Sequence, residues 1–376
     1  MRTVADGKGG LEGIVVGKTA ISVIDGVAGK LSYRGYDIFD LAKHATFEET
    51  CYLLWHGELP NREQLKRLDA DLRMWRAVPD ELLGALRRLA RSGPMDALRT
   101  AVSALSIYDP EADDASPEAN RRKAVRLTAQ VATLTAAYGR LRNGQEPVAP
   151  DPQLGHAANF LHMLQGKAPD AEVARDFDVC LVLHADHHFN ASTFAARVTA
   201  STLSDIHSAV TSAIGTLKGP LHGGANEDVM KMLEDVRAKH AEPRAYVVDK
   251  LARKEKVPGF GHRIYRTLDP RAVVLKDIAE RLGKRRGNLH WYEMQLQIQS
   301  VMKEEKNLDA NVDFFSASAY NAMGIPRELF TPVFAVARMS GWTAHVLEQQ
   351  ADNRLIRPDA EWAGSPARAW KQIDAR

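Results

Sequence analysis

The chain has 376 residues, a formal net charge of +2 and 26% charged residues. That length exceeds one small core and predicts a large domain plus a smaller one. The near-neutral balance gives no global electrostatic case for nucleic acid, so any anion binding must be local. No apolar run reaches membrane-spanning length, and the opening MRTVADGKGGLEG has no signal-peptide apolar region, so a soluble cytoplasmic protein is the expectation.

Residues 14–34 predict a short β region: 19–24 alternates, Asp25-Gly26 offers a turn and 30–33 returns. Helix signals dominate thereafter. Thr46-Phe-Glu-Glu49 is a capping-box pattern, and the run CYLLWHGEL that follows ends at Pro60. Helical spacing continues through 62–76, 80–92 and 95–106. The polar stretch 109–117, with two prolines, predicts a loop that opens a helix at Glu118. Further helices are expected at 119–143, 153–165, 170–186, 192–215, 226–239, 244–256, 270–284, 290–304, 313–323 and 326–350, with an irregular tail after Arg357. No strand-rich stretch follows the first forty residues, which argues against a parallel-sheet nucleotide fold. Cys51 and Cys180 lie in apolar surroundings far apart in sequence and are expected as buried thiols.

Five clusters carry chemistry. His184, His187 and His188 fall at i, i+3 and i+4, a spacing that predicts one helix face. It suits a metal, core hydrogen bonding or a direct substrate contact, although the glutamate of the zinc-protease motif is absent. In PLHGGAN at 220–226, His222 precedes two glycines. This suits a helix N-terminus, where a neutral imidazole is favoured and donates to a developing enolate oxygen. The bland alternative is a Gly-rich turn with an incidental histidine. In VPGFGHRIYRTLDPR at 257–271, Gly259 and Gly261 allow unusual dihedrals and a close ligand approach, His262 can pass a proton, and Arg263, Arg266 and Arg271 grip carboxylates or phosphates unless they form a solvated face. Asp313 stands beside Val312, Phe314 and Phe315, a setting that raises a carboxylate's pKa and makes it a better base; the alternative is an N-cap aspartate. Arg338 lies in an apolar helix and needs an anionic partner, and Arg354 and Arg357 stand near the end.

In this order the motifs resemble those of the citrate synthase family, in its short bacterial and archaeal form. The likeness runs from about residue 10 to 364. It rests on LEG at 11–13, YRGY at 33–36, PM at 94–95, LRT at 98–100, NAST at 190–193, PLHGGAN, GFGH at 259–262, DPR at 269–271, NVD at 311–313 and IRP at 356–358. The resemblance implies an all-α fold with a small N-terminal β element. The large domain would comprise 1–223 and 325–376, and a small domain 224–324.

It also implies the reaction of acetyl-CoA with oxaloacetate and hydrolysis of the citryl-CoA formed. By motif position, Asp313 is the base, His222 hydrogen-bonds the thioester oxygen, and His262 polarises the ketone and protonates the new alkoxide. Arg271, Arg338 and Arg357 would hold the oxaloacetate carboxylates, with His187 and Asn190 adding hydrogen bonds. Val257, Gly259, Phe260, Gly261, Arg266 and Asn311 would face CoA. A homodimer with Arg357 reaching across the interface is implied, as are no metal and no bound redox cofactor. The N-terminal extension of NADH-regulated members is absent, so no NADH control is expected. Ala317, in FFSA at 314–317, and RMSGW at 338–342 also resemble 2-methylcitrate synthases, which use propionyl-CoA. A helical zinc hydrolase built on the three histidines is the distant alternative.

Overall fold

The computed structural model describes residues 10, 11 and 13–376; Glu12 of the LEG motif lies outside them. The β region is a three-stranded antiparallel sheet of β1 (Ser22–Asp25), β2 (Lys30–Tyr33) and β3 (Tyr36–Asp37) in the order β1-β2-β3. Asp25 pairs with Lys30, so four residues form the first turn. Gly29 takes its positive φ of 66°, and the Asp25 carboxylate accepts the Val27 and Ala28 N–H groups.

Helices then follow in chain order: α1 (Ile38–His44), α2 (Phe47–His56), α3 (Arg62–Met74), α4 (Asp80–Arg88), α5 (Pro94–Tyr108), α6 (Pro117–Arg142), α7 (His156–Gln165) and α8 (Ala171–His184). The second half holds α9 (Ala191–Ser201), α10 (Ile206–Leu217), α11 (Ala225–Ala238), α12 (Pro243–Ala252), α13 (Pro270–Arg286), α14 (His290–Lys306), α15 (Val312–Ala322) and α16 (Phe330–Ala351). The expected all-α class with a minor β element holds. The Thr46 capping box forms in full, with reciprocal bonds to Glu49, an arrangement worth about 1 kcal/mol. Both cysteines are free and buried.

Three differences have local causes. The stretch 35–45, unassigned from sequence, forms β3 and α1, the latter capped by the Asp37 side chain accepting from Phe39 N. The single helix expected over 192–215 is two, because the chain turns at Leu203 with φ 65°, and the Asp205 side chain caps α10 anew. The helix expected over 170–186 stops at His184.

One hydrophobic core runs through the molecule, and α16 crosses it, packing on α6, α9, α10, α2 and α8. Its residues are buried almost all round, which is what a central helix requires. The pairs α13–α15 and α11–α15 pack beside it. That brings the starts of α9, α13 and α15, the turn before α11 and the middle of α16 towards one place. No described helix is long and apolar enough to cross a membrane.

Candidate active site

The 185–190 turn supplies the floor of the site. After α8 ends, the buried Asp186 carboxylate receives Ser22 Oγ and the His188 N–H and lies 3.2 Å from His345 Nε2. Burial opposes its charge, but His345, Arg338 and the Ser22 hydrogen bond hold it down at about 2. Tyr33 Oη donates to the Asp186 carbonyl at 2.9 Å. The turn so fixed sends its three histidines apart, which corrects the one-face expectation. His184 stays in the core with Nδ1 2.7 Å from the Cys180 carbonyl. His188 takes φ 54° and lies against Phe189. Only His187 enters the site, with its ring 5.2 Å from that of His262 and Nε2 3.4 Å from Tyr265 Oη. Among the described residues no three His, Cys, Asp or Glu side chains are grouped to hold a metal ion.

His262 follows a loop shaped by its glycines. Gly259 has φ 84°, and a Cβ there would sit 2.7 Å from Phe314 Cδ2 and 2.8 Å from Val229 Cγ2. Phe260 pairs with Ala310 in an isolated antiparallel bridge and packs on Phe314 at 4.5 Å. The His262 Nδ1 accepts the N–H groups of Ile264 at 3.0 Å and Tyr265 at 3.1 Å. Two donors on Nδ1 require the neutral ring to carry its proton on Nε2. Burial, then the charge of Arg271, lowers its pKa to about 4.

His222 has the opposite tautomer. Its Nε2 accepts the Ser192 N–H at 3.2 Å and lies 2.8 Å from Ser192 Oγ, leaving Nδ1–H as the donor. Trp342 Nε1 in turn donates to Ser192 Oγ. Burial, then Arg338, lowers the His222 pKa to about 4. The turn that presents it needs Gly223, where a Cβ would fall 2.4 Å from the Leu217 carbonyl oxygen. The ring therefore stands in the turn preceding α11, not on the helix itself.

Asp313 occupies the first turn of α15. The cap is Asn311, whose Oδ1 accepts the Asp313 N–H, so the cap reading falls on its neighbour. No described side chain donates to the Asp313 carboxylate. Burial raises its pKa to about 6, against the opposing pull of Arg271 and Arg338. Asn311 Nδ2 also donates to the Gly261 carbonyl at 3.0 Å, tying the base's helix to the His262 loop.

Two buried guanidinium groups complete the site. Arg271 is clamped by Asp269 through Nε–Oδ1 at 3.0 Å and Nη2–Oδ2 at 2.7 Å. The same carboxylate accepts Val312 N at 3.3 Å, joining the starts of α13 and α15. Arg338 differs. Its Nε donates to the His184 carbonyl and its plane lies 4.7 Å over the Phe334 ring, while no described residue accepts a hydrogen bond from Nη1 or Nη2. Burial lowers its pKa to about 10, still leaving a cation at neutral pH. A buried cation with free donors is an anion site.

The other expected residues fall in three groups. Asn190 spends its side chain on capping α9, with Oδ1 accepting from Thr193 N and Ser192 Oγ. Val257 is buried, while the Arg266 side chain is exposed beside a groove of about 220 Å³ lined by Gly261, His262, Asp309 and Asn311. Arg357 is exposed on the segment after α16, and no hydrogen bond or ion pair joins it to the described residues of the site. Ser22, Asp186, Ser192, Tyr265 and Asp269 serve the site without having been singled out. Asp186, Ser192, Tyr265 and Asp269 lie within the motif segments, whereas nothing local marked Ser22.

The family model described as citrate synthase, C-terminal domain, matches residues 10–359. The chain belongs to the citrate synthase family. It is 53% identical to a citrate synthase of Haloferax volcanii over 98% of this chain and 99% of that protein. It is 46% identical to a 2-methylcitrate synthase of Shewanella oneidensis over 94% of each. A ternary complex of citrate synthase from Thermoplasma acidophilum with carboxymethyl coenzyme A and oxaloacetate superposes with a TM-score of 0.91 at 31% identity, over 97% of this chain and 98% of that one. The citrate synthase family thus accounts for the helical fold and for the order of the motifs.

Proposed function

We propose that this chain condenses acetyl-CoA with oxaloacetate and hydrolyses the resulting citryl-CoA to citrate and CoA. What supports the reading is a buried carboxyl, Asp313, under the charge of two buried guanidinium groups, together with two imidazoles of opposite tautomer, His222 and His262. Asp313 removes a proton from the acetyl methyl group. His222 donates from Nδ1 to the thioester oxygen as the enolate forms. The enolate carbon then attacks the oxaloacetate ketone, and His262 gives its Nε2 proton to the new alkoxide; it recovers that proton from the attacking water, and protonated Asp313 returns its own to the departing thiolate. Water cleaves the thioester and CoA leaves as the free thiol. Neutral imidazoles suit these roles because a weak acid matches a developing oxyanion without first losing a charge.

Oxaloacetate carries two carboxylates, met by Arg338, Arg271 and Arg357, with His187 facing the ketone side. Asn190 acts through Ser192 and the turn it caps. The 257–261 loop and Arg266 take CoA, with Asn311 holding the loop in shape. No metal or bound cofactor enters this scheme. Residues 224–324 form the small domain and the remainder the large one, and the protein works in the cytoplasm. A homodimer is supported by the segment after α16, which is exposed and irregular in the single chain and carries Trp362 at 80%, Trp370 at 79% and Ile373 at 75% exposure. Such a tail needs a partner surface, and Arg357 would then enter the partner's site.

A second reading, 2-methylcitrate synthesis from propionyl-CoA, is favoured by Ala317, buried in α15 two residues from Phe315, and by the 46% identical relative of that name. An added methylene alters discrimination by about 1–3 kcal/mol. Oxaloacetate-dependent thiol release therefore separates the two: kcat/KM for acetyl-CoA is expected to exceed that for propionyl-CoA about tenfold or more. The reverse ratio assigns the second reaction, and no release from either thioester overturns the proposal.

The pH profile follows from the site. Asp313 works ionised, above its pKa of about 6, and both imidazoles, at about 4, stay neutral across that range. Acidification should thus lower kcat/KM with a one-proton slope below about pH 6. A plateau extending down to pH 5 would remove Asp313 as the base.

A further inference from the structure

We propose that the β1–β2 hairpin is a positioning element for catalysis, with Gly26 setting the orientation and tautomer of His262; this rests on the assignment of His262 above. The hairpin contacts the two backbone segments that carry His187 and His262. At its base, Ser22 Oγ donates to the Asp186 carboxylate and accepts the His188 N–H at 2.9 Å, and Tyr33 Oη reaches the Asp186 carbonyl. These contacts set the turn that carries His187. At its tip, the Gly26 carbonyl accepts the Arg266 N–H at 2.8 Å.

Gly26 has no positive φ that would require glycine. What requires it is proximity, since a Cβ there would lie 2.3 Å from the Ile264 carbonyl oxygen and 2.9 Å from its carbon. That carbonyl belongs to the peptide whose N–H, on Tyr265, donates to His262 Nδ1. The hairpin tip therefore bears directly on the peptide plane that holds the ring in its Nε2–H form. Gly29 repeats the contact one step on, where a Cβ would meet Thr267 Cγ2 at 2.8 Å and the Leu268 carbonyl oxygen at 3.1 Å. A side chain at Gly26 would rotate the Ile264–Tyr265 peptide and weaken its bond to Nδ1. Losing one of the two donors on Nδ1 makes protonation there less unfavourable, so the ring's pKa rises, while burial and Arg271 continue to hold it down.

The test uses the full-length enzyme. Gly26→Ala is expected to lower kcat by roughly 10- to 100-fold, with some loss of Tm from the clash with the Ile264 backbone and the acid limb of the rate profile steepened from one proton to two. Gly29→Asn, which tolerates the positive φ, should act in the same direction and serves if Gly26→Ala does not fold. Val27→Ala, at the 82% exposed tip, should leave rate and slope unchanged. His262→Asn separates the two levels. If it retains the parent rate, the assignment of His262 falls. If it is inactive while Gly26→Ala and Gly29→Asn keep the parent kcat and a one-proton limb, the positioning role falls. A rate loss with an unchanged slope and a lowered Tm also overturns it, because that is a folding defect.

Discussion

Asp313→Ala is expected to lower kcat for oxaloacetate-dependent thiol release by roughly a thousandfold, with little change in the KM for oxaloacetate. The loss corresponds to about 4 kcal/mol of transition-state stabilisation. Carbon acids such as a thioester methyl hold their protons tightly, and the site offers no second base: His222 and His262 are kept neutral, with their acceptor nitrogens turned to backbone N–H groups. Asp313→Asn should be equally inactive while keeping the side-chain volume. Steady-state kinetics with both substrates varied will check this, and an Asp313→Ala enzyme within tenfold of the parent would remove the residue from the chemistry. Folding should survive the change, because α15 is capped by Asn311 and no described side chain relies on the Asp313 carboxylate.

Arg338→Met should raise the KM for oxaloacetate by about a hundredfold or more, consistent with the 2–5 kcal/mol that follows removal of one partner of a buried charge pair. The guanidinium is almost fully buried and no described residue accepts from its two terminal nitrogens, so on the proposed reading a substrate carboxylate takes them. The variant also reports through stability. A ligand at about a hundred times its Kd stabilises the folded state by roughly 2.7 kcal/mol, so oxaloacetate should raise the Tm of the parent and not that of Arg338→Met. Equal thermal shifts in the two proteins would show that Arg338 does not meet the substrate. Arg271 makes a poorer test, since its change would also orphan the buried Asp269 carboxylate, which braces the start of α15.

Much of the site was legible because its parts are local. Gly223 and Gly259 mark close backbone approaches, and both prove to be places where a Cβ would collide. The aromatic neighbours of Asp313 foretold a raised pKa, and burial supplies it. The histidine triplet was misread because its spacing assumes a helix that continues. The chain leaves α8 at His184 under the pull of Asp186, whose partners Ser22 and His345 lie 164 and 159 residues away. The 192–215 segment shows the same limit. Its break at Leu203 uses a left-handed residue with no glycine or proline to announce it.

Caps, turns and apolar spacing act within a few residues, so the sequence by itself determined where most helices begin, which class of fold they build and which residue types carry the chemistry. Tautomers, counterions and pKa values depend on groups brought within a few ångströms from distant positions. Only the tertiary structure decided that Ser192 gives His222 its free Nδ1–H, that Asp269 neutralises Arg271 while Arg338 stays open, and that a hairpin near the N-terminus rests on the peptide behind His262. Burial makes each of these consequential, because in a desolvated site one hydrogen bond or one unpaired charge outweighs the local preference of the chain.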